Sequence, residues 1–432
     1  MSHSYACKTP HHTLSRRKVL GGFAGLAGAV AGAPLFAPGI AHAAAEAIKA
    51  GRKQVLFIWL DGGISQLESW DPKPNTRFGG PFRPIPTSVP GTHVCELLEK
   101  TAKQMHHLTV VRSLCTQDDS HSAGVARIQR GDPKNRGVNY PFFGSACAKL
   151  LGPGDSKLPP YVWVKPMSGG FRTEDAGFLG PQYGCLALGD GKAPENLLRP
   201  ASIPADVDAA RNELRKKANE RFTRGRRTAE NDANAYAYDM AAQLMVRSDL
   251  FDEKRYSERD LDRYGRHDLG RHILQARHLI EAGVTFVKVT SFHWDTHGDN
   301  FNLHQNLVPQ FDQPFAALIE DLAASGRLKD TLVIAMSEFG RTPRINGHVG
   351  RDHWPQAWSA AMAGCNLARG AVVGKTTDDG SAVADRQVDV GHLFHTWFGA
   401  LGVDSHKTQY DNAGQPLPLA NDEFEAIKEV LT

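Results

Sequence analysis

Across residues 291–354 the chain reads SFHWDTHGDNFNLH, then a helix-like segment, then TLVIAMSEFGRTP and finally GRDHW. Five of the 19 histidines, His293, His297, His304, His348 and His353, fall inside this stretch. Two apolar runs of strand length, residues 284–289 and 331–336, each lead into a group of Asp, Glu and His side chains. Oxygen and imidazole donors just past buried strands are where α/β enzymes build metal or phosphate sites.

Three strand ends carry a carboxylate: Asp61 after QVLFIWL, Asp295 after VTFVKV and Glu338 after TLVIAM. In a parallel sheet those ends share one edge, so side chains far apart in sequence can converge. Converging carboxylates repel, and a bound divalent cation is the usual compensation. His297 lies two residues beyond Asp295, and Asp352 and His353 follow Glu338 by 14 and 15 residues. Mixed Asp, Glu and His donors suit zinc or manganese, whereas oxygen-rich sets suit calcium or magnesium. Ser120 and His121 sit in a polar turn before a helix. A hydroxyl at a helix start beside a metal can attack phosphorus or sulfur, and the same Ser120, or Asp119, can simply cap the helix. Arg341 and Arg351 could pair with an anionic substrate or bridge to the acidic cluster.

The elements that must position these residues follow from hydrophobic pattern. Residues 54–60, 108–114, 161–164, 284–289 and 331–336 read as strands. The first is a continuous apolar run, as expected for a strand covered on both faces. Residues 96–105, 307–325 and much of 206–282 carry helical periodicity, and Gly283 and Gly326 suit helix ends. Residues 71–91 and 132–220 are rich in Gly and Pro and read as excursions and insertions. Segments 357–363 and 388–401 add further elements, and 422–431 reads as a closing acidic helix. Strands alternating with helices over this length predict a three-layer α/β sandwich with a largely parallel mixed sheet.

The N-terminus carries a separate signal. Ser15-Arg16-Arg17-Lys18 precedes a small-residue apolar stretch that ends in Ala41-His42-Ala43, a cleavage pattern. Paired arginines before a weakly hydrophobic segment resemble a twin-arginine export signal, so residues 1–43 are expected to leave and 44–432 to form one domain in the periplasm or beyond. The formal charge of +3 comes from that segment, which has four basic residues and no acidic one; 46 basic and 47 acidic residues remain. No basic excess favours nucleic acid or an anionic membrane. Five widely spaced cysteines, Cys95, Cys115, Cys147, Cys185 and Cys365, form no CxxC pair and read as buried thiols with at most one or two bridges.

The runs LIEAGVTFVKV, WDTHGDN, DLAASGRLKDTLVIAMSEFGRTP and GRDHW, with LDGGISQLESWDPKPN at the start and FGALGVD at the close, resemble the DUF1501 family of exported proteins. That family is related to the alkaline phosphatase/sulfatase superfamily. The resemblance implies an alkaline phosphatase-like fold, one or two divalent ions (zinc, manganese or calcium) and a small anionic phosphate or sulfate ester as substrate. On that pattern Asp61, Asp295, His297, Glu338 and His353 would be metal ligands, and the Ser120–His121 turn would stand in the nucleophile's place, with Ser122 or water as alternatives. The superfamily has Asp then His where this chain has Glu338 then Phe339, so one ion would lack an imidazole unless His121 or His293 supplied it. The turn CTQDDSHSAG lacks the C/S-x-P-x-R sequence of formylglycine sulfatases. The alternative of a different class is an envelope binding protein that keeps the fold and a structural metal without catalysis.

Overall fold

Strand β1 (Gln54–Leu60) is buried along all but its first residue, because its alternate side chains feed two different cores. Leu56, Ile58 and Leu60 enter one apolar cluster and Val55, Phe57 and Trp59 the other. The same division holds for the neighbouring strand Thr331–Met336, where Val333 and Ala335 face one side and Leu332, Ile334 and Met336 the other. Two-sided burial is why these runs show no alternation in sequence. The computed structural model describes residues 53–131, 137–153, 156, 158–172, 174–194, 197–224 and 229–432. The expected export signal lies outside the described residues.

Eight further strands join β1 in one sheet: β2 (Leu108–Leu114), β3 (Tyr161–Lys165), β4 (Gly170–Arg172), β5 (Cys185–Gly189), β6 (Phe286–Ser291), β7 (Thr331–Met336), β8 (Trp358–Ala363) and β9 (Ala371–Val373). Their order is β9-β2-β8-β7-β1-β6-β3-β5-β4. The centre, β7-β1-β6-β3-β5, is parallel throughout. β8 is antiparallel to both β2 and β7, and β4 to β5, so the sheet is mixed.

Five helices do most of the covering: α1 (His121–Arg130), α2 (Phe143–Leu151), α3 (Asp268–Glu281), α4 (Asn300–Ala324) and α5 (Val390–Ala400). Leu269, Ile273 and Leu279 of α3 and Val308, Phe311 and Phe315 of α4 pack with Leu56 and Ile58 on one face. Phe143 and Cys147 of α2 and Leu393, Phe394 and Trp397 of α5 pack with Phe57 and Trp59 on the other. The result is the three-layer α/β sandwich expected. The inner strands place side chains in both apolar clusters, so truncating one of them leaves a cavity in a close-packed layer.

Three expectations change. The acidic segment 422–431 is not a helix, and only Lys428–Val430 makes a 3₁₀ turn. Tertiary tethers override its pattern: Ile427 N–H donates to Thr396 Oγ1 (2.8 Å), and Ala368 N–H donates to the Val430 carbonyl (2.8 Å). The insertion zone 132–220 contains the buried helix α2 as well as loops and short strands. The helix read at 307–325 begins at Asn300, because its first turns carry the buried polar residues Asn300 and His304, which no apolar pattern marks. All five described cysteines are free thiols. Among the described residues no helix is long and apolar enough to cross a membrane.

Candidate metal centre

Sheet register brings the strand ends together. Trp59 of β1 pairs with Met336 of β7, so Asp61 stands level with Glu338, two residues further along each strand. On the other side Leu60 pairs with Ser291, and Asp61 N–H donates to the Ser291 carbonyl (2.8 Å). The turn after β1 must pass close to both neighbours. A Cβ on Gly62, at φ +114, would lie 2.5 Å from the Asp295 backbone nitrogen, and one on Gly63 would lie 2.8 Å from the Phe339 ring. The Gly62-Gly63 pair is therefore a condition of the site's closeness.

Four side chains converge beyond this edge. His353 Nε2 lies 3.0 Å from Asp295 Oδ1, and His297 Nε2 lies 3.2 Å from the same oxygen. The two Nε2 atoms are 3.0 Å apart. His121 Nε2 approaches the other oxygen, Asp295 Oδ2, at 3.3 Å. Each imidazole is anchored through its opposite nitrogen. His121 Nδ1 is 2.8 Å from Glu338 Oε1, His297 Nδ1 is 2.8 Å from Asp352 Oδ1, and His353 Nδ1 is 2.6 Å from the Asp119 carbonyl. Oxygen acceptors on all three Nδ1 atoms assign the proton there and turn three Nε2 lone pairs toward one carboxylate.

That arrangement fits a cation. Lone pairs and a carboxylate facing one another repel unless protons or a metal stand between them. Ligand bonds of about 2.0–2.1 Å in tetrahedral geometry give ligand–ligand edges of about 3.3 Å, close to the 3.0–3.3 Å separations found here. Imidazoles held through the second nitrogen by carboxylate or carbonyl are the usual support of a metal-bound histidine. His121, Asp295 and His353 each offer a donor atom within 4.8 Å of the others. Glu338 adds a further sign: its side chain is buried, and Oε2 has no hydrogen-bond partner among the described residues.

Burial and hydrogen bonding also shift the proton affinities of these groups. The hydrogen bond to Glu338 raises the His121 pKa above the usual imidazole value. Burial raises that of Glu338. Burial also opposes ionisation of Asp295, but the Arg341 guanidinium hydrogen-bonded to it outweighs that and holds the carboxyl well below its ordinary range. Burial lowers His353, which keeps its Nε2 lone pair available.

The match to known proteins covers nearly the whole described chain. The family model "Protein of unknown function (DUF1501)" matches residues 52–431. The chain belongs to DUF1501. No curated protein matches it. Solved structures similar to this DUF1501 protein include the Zn complex of the C-terminal periplasmic domain of EcEptC from Escherichia coli. It shares 11% identity and a TM-score of 0.39, over 86% of this chain and 87% of that one. The PsFucS1 sulfatase from Pseudoalteromonas sp. shares 13% identity at a TM-score of 0.36, over 86% and 72%. A protein in the alkaline phosphatase superfamily from Vibrio parahaemolyticus shares 10% at 0.35, over 84% and 75%. Overlaps this partial assign no activity to the DUF1501 chain.

The remaining expected site residues take other places. Asp61 is at the edge, its Oδ1 accepting the Trp59 indole N–H (2.8 Å), and it lies outside the imidazole cluster. Glu338 reaches His121 and the Gly62 N–H (2.9 Å), so its contacts are those of a residue that orients a ligand. Ser120 caps α1: its hydroxyl accepts from Ala123 N–H at 3.1 Å. Arg341 is completely buried, holding Asp295 Oδ1 at 2.6 Å, the Gly63 and Arg351 carbonyls at 3.0 Å, and the Gly62 carbonyl. Arg351 is equally buried, paired bidentately with Glu68 (2.7 and 3.0 Å). Both guanidiniums are fully buried and bridge to carboxylates beneath the site, the second of the two roles expected for them. Phe339 stacks on His353 with ring centroids 4.1 Å apart and meets His121 at 5.2 Å, an apolar wall for two of the imidazoles. His293 makes no contact in the cluster and is exposed at φ 79. Glu68 is a neighbour that sequence reasoning left without a role, and Asp119, read there only as a possible helix cap, supports His353 through its carbonyl.

Proposed function

We propose that this DUF1501 protein is an exported, metal-dependent hydrolase of phosphate or sulfate esters holding one or two divalent ions, with zinc or manganese better suited than calcium to its imidazoles. The observation that carries this is the convergence of His121, His297 and His353 Nε2 on the two oxygens of Asp295. His121, Asp295 and His353 would hold one ion, with His297 beside Asp295 and His353, and Glu338, Asp352 and the Asp119 carbonyl would fix the rings. When bound, the ion would polarise an ester oxygen and lower the pKa of a nearby water. Asp61 and Glu338 stand level at the adjacent strand ends and would complete a second position. The N-terminus of α1 carries His121 to the same place, and the positive end of a helix favours an anionic group. Ser120 keeps its own O–H free to donate while accepting from Ala123, and Ser120, Ser122 or water remains the attacking group under this reading. The resemblance of the N-terminal segment to a twin-arginine signal supports passage through that export machinery to the periplasm or beyond.

Metal analysis of the purified full chain, followed by assays on chromogenic phosphate monoesters, phosphate diesters and sulfate esters, tests this. The expected result is a stoichiometric transition metal and turnover that a chelator abolishes. A metal-free protein with no turnover when supplied with zinc, manganese or calcium overturns it. The use of the Ser120 hydroxyl as a helix cap favours one second reading, a non-catalytic envelope binding protein with a structural metal. Under that reading His353→Ala lowers the melting temperature and there is no turnover to lose.

A further inference from the structure

Asn346 lies in the short NGHVG turn between Arg341 and Arg351, and both ends of its carboxamide are fully engaged. Its Oδ1 accepts from the N–H groups of His348 (2.9 Å) and Gly350 (3.0 Å). Backbone amides only donate, so these two bonds decide which end of the carboxamide is oxygen. The Nδ2 end is thereby turned to the His297 carbonyl (2.9 Å) and to Asp352 Oδ1 (3.0 Å). That Asp352 oxygen is the one that meets His297 Nδ1 at 2.8 Å. Asn346 therefore holds His297 twice, at the backbone directly and at the ring through Asp352.

The oxygen end alone would be ordinary turn chemistry. Asp and Asn side chains both accept from backbone N–H groups a few residues on, and for that task an aspartate serves equally well. Only an amide, however, also presents donors to a carbonyl and a carboxylate at its other end. The turn is moreover pressed against the one that carries His297. Asp299 and Asn300 N–H groups donate to the His348 and Val349 carbonyls, each at 3.0 Å, and a Cβ on Gly350 would collide with the His297 carbonyl. Val349, β-branched and exposed, stands at φ 58, a conformation that persists only where its surroundings impose it. The Asp352 side chain is 53% exposed, so a second hold is needed to keep it on the ring. We propose that Asn346 is a positioning residue of the candidate metal centre, fixing Asp352 and His297 so that His297 Nε2 stands beside Asp295 and His353. This rests on the metal-dependent reading above.

The test is Asn346→Asp in the full chain. The variant keeps an acceptor for His348 and Gly350 but sets a carboxylate oxygen against Asp352 and the His297 carbonyl. An added negative charge by itself tightens cation binding, whereas lost support of a metal-site histidine weakens it, typically by 10–100-fold. Calorimetric titration with Mn²⁺ or Zn²⁺ is expected to show about tenfold weaker binding, at a metal-free melting temperature near that of the wild type. The metal-free protein gives an independent readout. A downfield, slowly exchanging N–H resonance of His297 Nδ1, assigned by its absence from His297→Gln, is expected in the wild type and lost in Asn346→Asp. Cation affinity equal to or tighter than the wild type in folded Asn346→Asp overturns the proposal. Should that variant not fold, Asn346→Ala is compared alone and with Asp352→Ala. A residue that acts through Asp352 costs less cation affinity once Asp352 is gone, and equal costs in the two backgrounds overturn the proposal. If the wild-type chain binds no divalent ion, the metal-dependent reading fails. The resonance then decides the role of Asn346 alone: loss in Asn346→Asp supports it, and persistence there or absence from the wild type overturns it.

Discussion

Glu338 shares one oxygen between His121 Nδ1 and the Gly62 N–H and leaves the other without a partner. A carboxylate in that position fixes the ring's tautomer and raises its basicity, and losing such support typically costs 10–100-fold in metal affinity. Glu338→Ala is therefore expected to weaken divalent-ion binding by about that factor with the fold retained, measured by calorimetry beside a thermal melt. Asp352→Ala should behave alike through His297. Asp61→Asn should cost less, because Asp61 touches none of the imidazoles. At Ser120 the expectation concerns stability. Loss of an N-cap hydroxyl costs about 1 kcal/mol in Ser120→Ala but only a few tenths in Ser120→Gly, and chemical unfolding of the two variants distinguishes them. Sequence spacing found the residue types of this site but not their ranks. Asp295, His297 and His353 are close in sequence or follow specific motifs. The pairing of His121 with Glu338 spans 217 positions and depends on register, which no local pattern encodes.

Beneath the site, elements are joined by buried polar contacts that the apolar pattern could not announce. The stretch after β1 holds Ser65, Gln66, Glu68 and Asp71, all essentially buried although polar. Gln66 brackets the backbone of Arg341, donating to its carbonyl (2.8 Å) and accepting from its N–H (2.9 Å). Glu68 holds Arg351 and also accepts from Asn300 Nδ2 (3.1 Å), which ties the start of α4 to the GRDHW segment. Removing one partner of a buried pair costs roughly 3–5 kcal/mol, so Arg351→Met should unfold at much lower denaturant, and Glu68→Leu with Arg351→Met should recover part of the loss. His304 of α4 gives a pH signature. Its Nε2 accepts from Ser65 N–H at 3.0 Å, and burial drops its pKa from 6.5 to about 4. A base depressed on folding contributes stability above its unfolded pKa and loses it as acid charges the unfolded state first. Stability should therefore fall between about pH 6.5 and 4, and His304→Gln should make that slope shallower by about 1.4 kcal/mol per pH unit. His278, also lowered to about 4 by burial, keeps its share of the slope.

For the molecule as a whole, the parallel centre of the sheet matters because it delivers β1, β6 and β7 to one edge with two apolar layers holding them in register. That much was legible, since unbroken apolar runs followed by carboxylates permit few other arrangements. The antiparallel β8, the long start of α4 and the non-helical C-terminal segment were not, because tertiary contacts decide them. The converging side chains come from α1, the loop after β6 and the segment before β8, so an ion bound there links three separate parts of the fold. A ligand that binds only the folded state stabilises it by RT ln(1 + [L]/Kd), about 2.7 kcal/mol at a hundredfold excess over Kd. Zinc or manganese added to chelator-treated protein should therefore raise the melting temperature in a concentration-dependent way. The same titration on His297→Ala/His353→Ala should show almost no shift, since two of the three imidazoles around Asp295 are gone. A wild-type melting curve indifferent to both chelator and added metal would mean that protons alone reconcile these lone pairs, and the centre would then be a hydrogen-bonded cluster.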